Sequence, residues 1–75
     1  MKHSKLASLE VNGDRLELFE GRARRHEKCV VVYFVGPEGW GITMNIRPDS
    51  LETFKGDEQL QRDFIRLAKD KLGLE

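Results

Sequence analysis

The run Cys29 to Val35, CVVVYFV, constrains this chain more than any other stretch. It is dense in β-branched and aromatic residues and lacks a period of 3.6, so it reads as a strand. Alternation along a strand sends Cys29, Val31, Tyr33 and Val35 to one side and Val30, Val32 and Phe34 to the other. Both sides are apolar. One layer of helix covers only one face of a small sheet, so such a strand needs a second cover or a sheet that curls over itself.

The chain has little material for a second cover. Its 75 residues amount to one domain, spanning 1–75. A chain of this size buries only roughly 60 to 65% of its unfolded surface, so its core comes from one sheet face and one helix, or from a partner. An apolar fraction of 39% against 35% charged residues is too hydrophobic and too patterned for a disordered chain.

Ahead of the central run, Leu6 to Val11 and Arg15 to Glu20 flank Asn12-Gly13-Asp14. Asn-Gly between apolar runs is a strong hairpin signal, because both residues tolerate the positive φ of a type I′ turn. Leu9 and Val11 fall on one face of the first strand, and Leu16 and Leu18 on one face of the second. Gly21 then interrupts the pattern. After the central run, GPEGWG (36–41) reads as a turn. Its spacing matches neither the dinucleotide fingerprint nor the phosphate-binding loop. Trp40, Ile42, Met44 and Ile46 alternate with Gly41, Thr43 and Asn45 as a further strand, which Pro48 ends.

In the connection RPDSLETFKGD (47–57), Asp49 or Ser50 is placed to cap a short helical turn. Asp57 is placed to cap a helix over 58–72, with Lys69 and Lys71 near its negative end and Gly73 as its stop. Leu60, Phe64, Leu67, Ala68 and Leu72 make the stripe expected to face the sheet, with Ile65 off its centre. Glu58 with Arg62, and Arg66 with Asp70, are spaced for weak surface pairs. The expected architecture is α+β: an antiparallel meander of three or four strands with one C-terminal helix packed on one face, residues 1–5 forming a mobile start. A β-bulge near Gly21 or Glu27 would swap the later alternation, so the face the helix takes stays open.

Little in the chain suggests chemistry. Acid-base or nucleophilic catalysis needs a positioned base in a sheltered cleft. His3 lies at the start of the chain, and His26 sits among charges. Cys29 opens the apolar run and reads as a small hydrophobe, and an odd separation puts it on the face opposite His26. Glu10 and Glu17 read as solvated neighbours on the outer hairpin face. No segment has metal-ligand spacing. The expectation is a noncatalytic protein without a cofactor or a metal.

Charge is balanced, 13 basic against 13 acidic residues, so the total implies no general attraction to nucleic acid or membrane. No apolar run approaches the roughly 20 residues that cross a bilayer. The start of the chain lacks the apolar stretch of a secretory signal, and a lone cysteine offers no disulfide, so cytoplasmic residence is expected. The one local excess is RARRHEK (22–28). Arg22, Arg24, Arg25 and Lys28 suit a phosphate backbone or an acidic partner, or they solvate a hairpin end and discourage pairing at a sheet edge.

The surplus apolar face carries the functional expectation, because contiguous exposed apolar surface marks an association site. Val30, Val32 and Phe34 are the expected protein interface, or else the opposite row of Cys29, Val31 and Tyr33. The chain is read as a small interaction or regulatory module, homodimeric, that binds another macromolecule. The alternative is a nucleic-acid-binding accessory protein using Arg22, Arg24, Arg25 and Lys28.

Overall fold

A computed structural model describes residues 4–22, 27–36 and 41–73. Four strands, β1 (Lys5–Val11), β2 (Asp14–Arg22), β3 (Lys28–Val35) and β4 (Gly41–Ile46), form one antiparallel sheet in the order β1-β2-β3-β4. A 3-10 turn (Pro48–Ser50) leads into helices α1 (Leu51–Gly56) and α2 (Glu58–Leu72). This is the expected meander with its C-terminal helix, with the strand count settled at four and a short helix preceding the long one.

Local chemistry accounts for the turns. Asn12 and Gly13 have φ of 52° and 87°, the left-handed pair that a type I′ turn requires, and Val11 faces Asp14 across it. β1 starts at Lys5, and the Glu20 N–H donates to the Ser4 carbonyl at 2.8 Å. The paired chain therefore begins within the stretch read as mobile. Lys5 lies opposite Phe19 and Ala7 opposite Leu18, so Leu6 is an extra residue that bulges β1.

Two glycines permit close approach rather than turning. β2 runs straight through Gly21, where a Cβ would stand 2.8 Å from Val31 Cγ2. Without one, Cys29 and Val31 lean across the β2 backbone, and Cys29 is buried. At Gly41 a Cβ would stand 1.7 Å from the Phe34 carbonyl oxygen, so β4 enters the sheet at a position open only to glycine.

α2 begins as its sequence implies. Asp57 Oδ1 accepts from the N–H groups of Gln59 and Leu60 at 3.0 and 3.2 Å, satisfying two donors left open at a helix start. Gly73, with φ 74°, closes the helix. Ser50 stands at the N-cap of α1 without a side-chain bond. On the surface of α2, Arg66 pairs with Asp63 at 2.6 Å instead of with Asp70, and Gln59 donates to Asp63 at 2.9 Å.

The core lies between α2, α1 and one sheet face. Leu16, Leu18 and Val32 are 0% exposed and Phe34 2%, packed with Val11, Val30, Phe54, Phe64, Ile65 and Ala68. The helices thus take the Val30, Val32, Phe34 face. α2 is turned from the expected stripe: Gln61, Phe64, Ile65 and Ala68 point in, while Leu60 and Leu67 are 42% and 59% exposed. Gln61 accounts for the rotation. Its Nε2 donates to the Phe54 and Lys55 carbonyls at 2.7 and 3.1 Å, which closes the end of α1 against α2 and satisfies a buried amide. With Gln61 inward, Ile65 becomes central and the two leucines move to the flank.

Candidate interaction surface

Val30, Val32 and Phe34, the first choice for an interface, are core residues at 3%, 0% and 2% exposure. They cannot meet a partner while the helices are packed, and the reason is the choice of face that the sequence left open. The opposite row is the one that no helix among the described residues covers, although Gly21 and Cys29 at its β2–β3 end are buried. Cross-strand partners share a face, so the pairing Glu17↔Tyr33, Phe19↔Val31, Gly21↔Cys29, Val31↔Asn45 and Tyr33↔Thr43 defines its members.

Phe19, Val31, Tyr33 and Val35 are half-buried, and among the described residues no helix packs over them. Thr43 and Asn45 on β4, and Ser8 and Glu10 on β1, are exposed at the margins. The surface has an apolar centre and a polar rim, the layout of a protein contact patch. Phe19 escaped the sequence reading, although the inward phase of Leu16 and Leu18 already turned it outward.

The β1 margin carries charge. Glu17 Oε2 lies 3.4 Å from both Lys5 Nζ and Arg15 Nη1, its side chain 17% exposed. Glu10 faces Arg15, and Glu17 faces Ser8, so the two glutamates expected as neighbours are interleaved with cations. Such partly exposed pairs contribute tenths of a kcal/mol up to about 1 and set the rim's polarity more than the fold's stability.

Of the basic run, Arg22 and Lys28 are exposed and lie directly opposite each other at the ends of β2 and β3. Arg22 and Lys28 thus belong to two adjacent antiparallel strands rather than to one. Arg24, Arg25 and His26 lie outside the described residues, as do His3 and Trp40. Cys29, a free thiol, is buried beside Gly21.

Two open clefts flank α2. One, of about 680 Å³, lies on the hairpin side and includes Arg62, Arg66, Lys69 and Asp14. Two of its cations are already matched, Arg66 by Asp63 and Lys69 by Asp14 at 2.9 Å. The other, of about 570 Å³, runs between β4 and α2, lined by Met44, Ile46, Phe54, Leu60 and Phe64 among others.

Among the described residues, no group of three or more His, Cys, Asp or Glu side chains could hold a metal ion, and no helix is long and apolar enough to cross a membrane. Comparison of the chain with protein-family models, with curated proteins and with solved structures found no match to any of them.

Proposed function

We propose that this chain is a small noncatalytic interaction module of the cytoplasm that acts as a homodimer and docks another macromolecule on the uncovered sheet face. The observation that carries the reading is the apolar centre of Phe19, Val31, Tyr33 and Val35, which no helix among the described residues covers. An apolar strip held rigid on the two central strands, ringed by hydrogen-bonding and charged side chains, suits a partner with a complementary apolar ridge. The protein would act by occupying that partner's surface. The cytoplasmic assignment rests on the single cysteine, Cys29, which has no disulfide partner within the chain.

Two measurements test this. Light scattering over a range of concentrations, at low and high salt, is expected to give twice the chain mass of 8.7 kDa; a monomer throughout contradicts the homodimer. Anilinonaphthalene sulfonate, an apolar dye, is expected to bind the native protein and to lose most of that binding in Val31→Lys/Val35→Lys, with helical circular dichroism retained. Equal dye binding by both proteins contradicts the docking face.

A second reading draws on Arg22 and Lys28, two exposed cations placed opposite each other across the β2–β3 end, with Arg24 and Arg25 between them in sequence. That end would follow a nucleic-acid backbone, with affinity falling steeply as salt rises. Arg24→Glu/Arg25→Glu is expected to abolish binding to single-stranded RNA while leaving the mass unchanged. Binding that withstands both the reversal and high salt contradicts it.

A further inference from the structure

The two edges of the sheet are built differently, and the difference assigns the dimer contact. β1, at one edge, carries a bulge at Leu6, the exposed charges Lys5 and Glu10, and a neighbouring ion-pair cluster on Glu17. Bulges and edge charges are the devices that stop one sheet from adding to another. β4, at the other edge, is GITMNI. It has no charge, no proline and no register shift against β3. Every second residue of an edge strand offers its N–H and C=O to a new partner.

The open edge is also bordered by apolar surface. Met44 and Ile46 line the cleft that exposed Leu60 overhangs, and Leu67, seven residues on, shares Leu60's side of α2. Edge and cleft together form a seat for an extended strand.

We propose that the occupant is β4 of a second copy, paired antiparallel about a two-fold axis at Met44. This rests on the homodimer reading above and adds its geometry. The sequence of β4 is self-complementary in that register. Met44 faces Met44 of the other copy, Ile42 faces Ile46, Thr43 faces Asn45, and Gly41 leaves room for Arg47. Every inward pair is apolar and the outward pair within the strand, Thr43 with Asn45, is polar, as matching faces require, and an uncharged strand pairs with itself without like-charge repulsion. The product is one eight-stranded sheet. Because the axis is normal to the sheet, both uncovered faces lie on the same side, so the dimer presents its apolar strip twice. Leu60 and Leu67 of the two copies line the groove above the joined strands.

The test is register-specific cross-linking of the full chain in a Cys29→Ser background under mild oxidation. Met44→Cys is expected to form a disulfide-linked dimer in high yield, and Ile42→Cys/Ile46→Cys likewise, while Ile42→Cys alone stays at the background set by Ser8→Cys on the guarded edge. A protein that scatters as a dimer yet shows Met44→Cys no better linked than Ser8→Cys overturns the edge contact and leaves the homodimer standing. A protein monomeric at every concentration overturns both. A charge exchange on two exposed positions gives a readout independent of cysteine chemistry. Thr43→Lys/Asn45→Lys is expected to be a folded monomer, and mixing it with Thr43→Glu/Asn45→Glu to restore the dimer mass. Failure of the mixture to associate, with both variants folded, contradicts the register.

Discussion

Consecutive residues of β3 live in opposite surroundings. Val32, on the inner face, is 0% exposed, and Phe34 beside it is 2%. Val31 and Tyr33, one residue away on the outer face, are half-buried, lying opposite Phe19 and Glu17 on β2 and Asn45 and Thr43 on β4. The side-chain chemistry of the two rows is nearly the same, so what separates them is the cover. α2, fixed by the Asp57 cap and the Gln61 clamp on α1, reaches one face only. Composition alone therefore does not distinguish the face that the helices cover from the face that they leave.

The sharpest way to break that comparison is to empty the inner face. Phe34→Ala leaves a cavity under α2 and is expected to cost about 3 to 5 kcal/mol. That approaches the whole stability of a domain this small, so thermal denaturation should find the variant largely unfolded. Val32→Ala and Val31→Ala then form a matched pair. The first is expected to cost about 2 to 3 kcal/mol and the second under about 1, since only Val32 loses a fully buried side chain. Equal losses in urea titrations would mean that the outer face is as covered as the inner.

Gly21 sharpens the picture of the outer face from within. A methyl there would meet Val31 Cγ2 at 2.8 Å, so Gly21→Ala is expected to destabilise by about 1 to 3 kcal/mol through overpacking. Val31→Ala in the same chain should recover much of that, as a double-mutant cycle of contacting residues reports. Asp57→Ala removes the acceptor of two helix-start N–H groups and is expected to cost about 1 kcal/mol. At the rim, Lys5→Ala or Arg15→Ala should fall within about 0.5 kcal/mol.

The alternation of Leu16, Leu18 and residues 29–35, the Asn12-Gly13 turn, the Asp57 cap and the Gly73 stop were all legible in the sequence, because each depends on neighbours close along the chain. The choice of face was not legible, since it depends on where α2 docks. Nor was the rotation that brings in Gln61 and turns Leu60 and Leu67 outward. It arises from carbonyls at the end of α1, six and seven residues from Gln61 in the chain, and a stripe of leucines points to a different answer. The bareness of β4 was on view as GITMNI, but it gains meaning only once β4 is known to be an edge.

The most direct measurement of the central claim is solvent contact of the valine methyls, read by NMR with a soluble paramagnetic agent added to the native protein. The account predicts strong broadening of the Val31 and Val35 methyls and little of Val30 and Val32. Protection of Val31 and Val35 to the level of Val32 would contradict it, placing the second cover over the outer face rather than leaving that face open to a partner.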